Sequence, residues 1–335
     1  MPDRVELCAP AGNLPSLKEA INRGADAVYL GFNNDTNLRN FPGLNFTFKE
    51  IAKAIKFAHR RGKKIYIAIN SYPQLIQLEQ SHKDIDEACS LGADALIISD
   101  LGLLAYASKK YPSMRLHLSV QAGASSAQSI IFYQKTFNVK RVVLPRVMSV
   151  EKIAQINKET GCEIEVFGFG LLCINYEGRC HLSSYLTGES INTYGACGSP
   201  RFVRFEENGE NLKVMLGETC LNKYPKNTAI AYPTPCKGYY HNLEKQGFEY
   251  AFQNPQSLNV LEILPSLIEN GADAIKIEGR QRSQVYVGKA VSSFRQAIDS
   301  YYDKKEAYSA TQESNGELES LFEGSSFTCG CYAEE

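Results

Sequence analysis

Three copies of one short phrase, Gly-Ala-Asp-Ala followed by an apolar β-rich run, punctuate the chain at Gly24 (GADAVYLG), Gly92 (GADALIISD) and Gly271 (GADAIKIEGR). Each copy follows a helical pattern. The glycine therefore reads as the residue just past a helix end, and the run behind it as the next buried parallel strand. A chain written this way is committed to repeated βα units. Extending the reading gives eight strands: Val5–Cys8, Ala27–Leu30, Ile65–Ile69, Ala95–Ser99, Arg115–Val120, Arg141–Leu144, Glu163–Phe167 and Ala274–Ile277. Helical patterns such as Leu14–Arg23, Thr47–Arg61 and Ser149–Thr160 lie between them, and Ser283–Tyr302 follows the last strand. Thr47 and Glu50 have the spacing of a capping box. Eight alternating units favour an α/β fold of the (β/α)8 TIM-like barrel type over an open doubly wound sheet.

The rhythm breaks once. Roughly a hundred residues separate the seventh strand from the eighth, far more than a βα connection needs. We therefore expect a barrel domain over residues 1–303 that contains an insertion at 170–270, and a polar C-terminal tail over 304–335. The insertion leaves the C-terminal end of strand seven, which is the face where such barrels place their active sites.

Four of the ten cysteines, Cys173, Cys180, Cys197 and Cys236, fall in the insertion with the spacing C-x6-C-x16-C-x38-C. Glycines, prolines and aromatics surround them. Four thiolates gathered from irregular backbone suit an iron–sulfur cluster or a tetrahedral zinc ion. Structural zinc sites usually pair ligands across two to four residues, and no such knuckle occurs here, so the spacing leans towards a cluster. Cys8, Cys89, Cys162 and Cys220 read as ordinary thiols in strands, a helix or the insertion. Cys329 and Cys331 lie in the tail.

Residues that end barrel strands are the default chemical candidates. Here they are Asn13, Asn70, Asp100, Gln121, Arg146, and Lys276, Glu278 and Arg280 along the last strand, with His117 inside the fifth. Arg146, Arg280, Glu278, Lys276 and Gln121 are the expected catalytic set, and Asn13, Asn70, Asp100 and His117 the expected substrate contacts. Two arginines at one mouth suit a bidentate grip on carboxylates. Asn13 and Asp100 also suit helix caps, and Lys276 and Glu278 also suit a pair inside the barrel.

Composition narrows the partners. A formal net charge of −1 lacks the basic balance of a polynucleotide-gripping surface. No apolar run approaches a membrane span, and MPDRVELCAP carries no signal-peptide pattern. The expectation is a soluble, cytoplasmic protein with reduced thiols. Neither H-E-x-x-H nor G-x-S-x-G occurs, so the motifs give peptidase chemistry no support.

Glu165, Phe167, Gly170, Cys173, Gly178, Cys180 and Ser183, in EVFGFGLLCINYEGRCHLS, together resemble the signature of peptidase family U32. Leu171 stands where that family has a small residue. The resemblance runs from about Leu7 to about Tyr302. Within the family, CAPAGN, NDTNLRNFPGLNF, VVLPRV, SSYLTGES, YPTPCKG and KIEGRQRS are most similar to the ubiquinone-biosynthesis branch of UbiU-like proteins. That resemblance implies a [4Fe-4S] cluster on Cys173, Cys180, Cys197 and Cys236. It also implies O2-independent hydroxylation of a prenylated ubiquinone precursor, with prephenate as hydroxyl donor, in a heterodimer with a UbiV-like family member. The alternatives are hydroxylation of a tRNA or rRNA base, as in relatives similar to TrhP and RlhA, and a non-catalytic cluster scaffold. Net charge and the lack of an appended RNA-binding domain count against nucleic acid as a partner.

Overall fold

The computed structural model describes residues 4–335 apart from 178–179, 196, 229, 231, 305–307, 309–311, 322–323, 325 and 334–335. The motif residue Gly178 lies outside the described residues. The first seven barrel strands are β1 (Glu6–Pro10), β2 (Ala27–Gly31), β3 (Lys64–Ile69), β4 (Ala95–Ile98), β5 (Leu116–Leu118), β6 (Val139–Val143) and β7 (Glu163–Leu171). Between them run α1 (Leu14–Asn22), α2 (Phe48–His59), α3 (Leu78–Ser90), α4 (Leu101–Lys110), α5 (Ala127–Phe137) and α6 (Val150–Thr160).

The insertion folds as two short helices, α7 (His181–Thr187) and α8 (Ile191–Tyr194), then a three-stranded antiparallel sheet of β8 (Val203–Asn208), β9 (Asn211–Leu216) and β10 (Thr219–Pro225). A hairpin follows, β11 (Tyr239–Asn242) with β12 (Gly247–Tyr250), then β13 (Gln256–Asn259) and α9 (Leu264–Glu269). The eighth barrel strand is β14 (Ala274–Ile277), followed by α10 (Gln284–Lys304), α11 (Gln312–Glu319) and β15 (Ser326–Thr328). β14 pairs in parallel with both β1 and β7, so the eight strands close into a (β/α)8 barrel.

The repeated phrase has a repeated structural job. Gly24, Gly92 and Gly271 have φ of +101°, +80° and +98°, which an L side chain resists and glycine does not. The alanine after each reaches back to the last turn of its helix: Ala25 N–H to Ala20, Ala93 to Ala88 and Ala272 to Leu267, at 3.0, 3.1 and 3.0 Å. This is a Schellman closure. The aspartate that follows accepts a backbone N–H of the neighbouring strand, Asp26 from Leu7 at 3.0 Å, Asp94 from Ile65 at 2.7 Å and Asp273 from Ile164 at 2.9 Å. Glycine thus ends a helix, and aspartate ties the new strand to the one beside it. The capping box at α2 also forms, with Thr47 and Glu50 exchanging backbone hydrogen bonds.

Two apolar layers result. The larger lies between strands and helices, with Leu7, Val28, Ile65, Ile67, Leu96, Val142, Ile164 and Ile275 against helix residues such as Leu17, Ile51, Ile153 and Phe294. The smaller fills the lumen with Cys8, Tyr29, Tyr66, Ala68 and Ile97. Beneath it the lumen is ionic: Arg141 bonds Glu6 at 2.6 Å and Glu165 at 3.1 Å, Glu165 pairs with Lys276 at 2.5 Å, and Tyr66 donates to Glu6 at 2.8 Å. Burial in such a layer is tolerable because every charge has an opposite neighbour.

β7 runs to Leu171, past the sequence-based end at Phe167. Its extension pairs antiparallel with β13, and β13 pairs in parallel with β15. The segment read as a polar tail thereby supplies a strand, an aromatic contact of Phe327 with Phe169 at 5.8 Å, and a buried Tyr332.

Candidate functional site

A cavity of about 140 Å³, partly open to solvent, lies at the C-terminal mouth of the barrel. Its wall includes Tyr29, Phe167, Phe169 and Tyr286 as aromatic faces, and Asn70, Ser119 and Gln121 as neutral polar groups. Five cationic side chains (Arg39, Arg146, Lys276, Arg280, Arg282) face it with two carboxylates, Glu177 and Glu278. The local balance is cationic although the chain as a whole is near neutral.

Arg146 leaves β6 at the rim and is 5% exposed. Its Nη1 lies 2.9 Å from Glu278 and its Nε 3.2 Å from Glu177, the latter an ion-pair contact out of line for a hydrogen bond. The guanidinium also donates to the Leu171 carbonyl and stacks over Phe167 at 3.9 Å. One side chain therefore joins β6, β14, the end of β7 and the first loop of the insertion. Glu278 in turn accepts the Leu171 N–H at 3.2 Å. Burial alone would raise its pKa, but Arg146, Arg39 and Arg282 overcome that and hold it below the ordinary value. Gly170 makes the junction possible: its φ is +131°, and a Cβ there would sit 2.7 Å from the Cβ of Glu278.

Lys276 is occupied as well, pairing with Glu165 below and lying 3.8 Å over the Tyr29 ring. Asn70 accepts the Leu38 N–H at 3.2 Å and so braces the loop that carries Arg39. Gln121 lines the cavity within the tight turn after β5, with its backbone N–H 3.3 Å from Ser119 Oγ.

The other three expected substrate contacts stand elsewhere. Asn13 caps α1 by accepting the Ser16 N–H at 2.9 Å, and Asp100 caps α4 by accepting from Leu103 at 2.9 Å. His117 is fully buried in the lumen, edge-on to Tyr66 at 4.7 Å and 3.1 Å from the Arg115 Nε. Burial, then Arg141 and Arg115, push its pKa well below the ordinary imidazole value, so it stays neutral. Sequence reasoning passed over Arg39, Glu177, Tyr232 and Leu321, all of which line the cavity. Arg39 lies in NDTNLRNF and Glu177 between two motif cysteines, yet neither ends a barrel strand.

The four insertion cysteines gather beside this cavity. Asn175 links two of them, accepting from Cys173 Sγ at 3.4 Å and donating to Cys180 Sγ at 3.7 Å, while Thr234 Oγ1 lies 3.5 Å from Cys236 Sγ. Burial pushes the Cys197 thiol up to about 11, opposed by Arg39 and reinforced by Cys180 and Cys236. Burial likewise raises Cys173, with Glu177 and Cys197 adding to it, and Cys180, with Cys236 adding to it. Each thiol thus lies within electrostatic reach of another. Among the described residues no three Cys, His, Asp or Glu side chains close round one point as a single ion would need. A cubane cluster gives each thiolate a different iron, so its ligands stand further apart, and four soft sulfur donors suit it. Cys329 lies against the Asn259 carbonyl at 3.5 Å, and Cys331 is exposed.

No helix among the described residues is long and apolar enough to cross a membrane. Comparison with known proteins places the chain more closely. It is 33% identical over 319 residues to tRNA hydroxylation protein P1 of Bacillus subtilis, covering 94% of this chain and 68% of that protein. It is 34% identical over 314 residues to an uncharacterized protease of Methanocaldococcus jannaschii, covering 91% of this chain and 69% of that one. Over 305 residues it is 30% identical to the 23S rRNA 5-hydroxycytidine C2501 synthase of Escherichia coli, covering 90% of this chain and 40% of the synthase. The model of peptidase family U32 matches residues 12–335, and the chain belongs to that family.

Proposed function

We propose that this protein takes part in hydroxylating a base in RNA, with tRNA as the first substrate class. The observation that carries this reading is the similarity, over nearly the whole barrel and insertion, to relatives named for tRNA and rRNA hydroxylation. The cavity is compatible with it. A base removed from its stack needs aromatic faces and hydrogen-bonding groups for its edge, and Tyr29, Phe167, Asn70 and Gln121 offer both. Net charge describes the entire surface, whereas a base would meet the cationic mouth. The comparisons favour this reading over the quinone reading that the resemblance first suggested.

Replacing C–H by C–OH is a two-electron oxidation, so the reaction needs a source of the hydroxyl oxygen and, for the two electrons and the displaced hydrogen, an acceptor, a part the oxygen donor itself plays if its own C–OH is reduced to C–H. Prephenate, without O2, is our proposed donor. A [4Fe-4S] cluster on Cys173, Cys180, Cys197 and Cys236 would supply electron transfer at the edge of the cavity. Partnership with a UbiV-like family member belongs to the second reading, hydroxylation of a prenylated ubiquinone precursor. Its support is the set of UbiU-like stretches, and an aromatic ring would use the same cavity.

A deletion strain grown with and without oxygen separates the two. Nucleosides from its tRNA and rRNA, analysed by mass spectrometry, should lack a hydroxylated base that returns on complementation, while its quinones stay normal. Intact hydroxylated nucleosides alongside loss of anaerobic ubiquinone would overturn the RNA reading in favour of the second.

A further inference from the structure

Not every cation in the cavity wall is neutralised. Arg146 is met by Glu177, Glu278 and the Leu171 carbonyl, and Lys276 by Glu165. Among the described residues Arg280 has no such partner. It is 7% exposed, and its Nη1 is buried with no hydrogen-bond acceptor. Its guanidinium carbon lies 5.8 Å from the centroid of the Tyr29 ring. Leaving a guanidinium in this state is costly unless something else compensates it.

The groups around it make an anion the natural complement. A Cβ on Gly31 would lie 2.9 Å from Arg280 Nη1 and 2.8 Å from Asn37 Nδ2, so a bare glycine lets two donors crowd one spot. Asn37 is fixed in that sense, since Nδ2 donates to the Phe32 carbonyl and Oδ1 accepts the Arg39 N–H at 2.9 Å. Arg39, held through Gly195, faces the same wall. Burial, with Arg39 adding to it, brings the Arg280 pKa down to about 10 against the pull of Tyr29 and Glu278, so two like charges stand close together. The backbone is set by tight packing, because a Cβ on Gly12 would lie 2.0 Å from the Arg280 carbonyl oxygen.

We propose that Arg280, with Arg39 beside it, forms an oxyanion subsite in the cavity wall, filled by a carboxylate or phosphate group of a molecule bound there. Arg146, the other arginine expected to clamp such a ligand, instead ties the insertion to the barrel. The inference rests on the proposed function only in taking this cavity as the reaction site. Planar guanidinium forks match the geometry of either anion. A carboxylate would belong to a small co-substrate and a phosphate to the backbone of a bound nucleotide.

The test uses the purified full chain, with malonate and inorganic phosphate as probes. Melting temperature and titration calorimetry should show saturable binding of at least one. In Arg280→Met the response should vanish while the anion-free protein melts no lower than wild type, because an unpaired buried charge has been removed. Arg39→Met should weaken binding about tenfold, and Arg280→Lys should retain part of it. Selectivity for malonate identifies the co-substrate as the source, and selectivity for phosphate the nucleic-acid backbone. No saturable response from either anion, or a response that survives in Arg280→Met, overturns the subsite. RNA hydroxylation is scored separately in cells, so either result stands if the other fails.

Discussion

Arg146→Met is the perturbation that best separates a structural arginine from a ligand-binding one. Methionine keeps the apolar contact with Phe167 and removes the charge that Glu177 and Glu278 share. Breaking a buried ion pair from one side costs about 3–5 kcal/mol. The Glu278 side chain is 25% exposed and can recover some hydration, whereas that of Glu177 is only 8% exposed. The loss should therefore fall near the lower end, about 3 kcal/mol. Burial already raises the Glu177 carboxyl to about 7 against the pull of Arg146, so without the arginine it must take up a proton to stay buried; Glu177→Gln removes that cost at nearly constant volume and should restore about 1–2 kcal/mol, a coupling that a double-mutant cycle resolves. The assay is urea unfolding followed by tyrosine fluorescence, since the chain has 19 tyrosines and no tryptophan. Limited proteolysis should find new cleavage within 172–255 in the single variant and less in the double. A single variant within about 1 kcal/mol of wild type, or a double variant no better than the single, would refute the role assigned to Arg146.

Replacing Cys173, Cys180, Cys197 or Cys236 by Ala should abolish iron retention in anaerobically purified protein, whereas Cys89→Ala and Cys329→Ala should leave it unchanged; equal iron in all six variants would remove the proposed cluster site. Gly12→Ala should push the Arg280 backbone away, costing about 1–3 kcal/mol and abolishing the anion response; a normal response would show that the close approach does not position Arg280. Acid should weaken the barrel through Glu6, whose carboxyl is held at about 2 instead of 4.5: burial opposes this, and Arg141 and Lys64 overcome it. A lowered folded-state pKa gives stability that is present above about pH 4.5 and lost towards pH 2, here on the order of 3 kcal/mol. Arg141→Met should flatten that slope, and an unchanged slope would place the acid-sensitive group elsewhere.

The amino-acid sequence alone determined the repeated units, their number and the place of the insertion. Hydrophobic period, helix-ending glycine and chain length between strands are local quantities, and the barrel uses them locally: all eight expected strands form, with ends shifted by a few residues. The same holds for the caps at Asn13 and Asp100, where a side chain serves its own next turn. The partners of the charged residues were not legible. Arg146 and Arg280 look alike as strand-end arginines, yet among the described residues one meets two carboxylates and the other none. That difference depends on Glu177 coming from the insertion and Glu278 from the far end of the chain. Nor did local pattern reveal that β15 joins the sheet or that Arg39 reaches the cavity from the loop after β2. Contacts between distant segments exist only once barrel closure has set β14 against β1 and β7. Until then no spacing along the chain distinguishes an arginine that will be neutralised from one left to find its anion outside the protein.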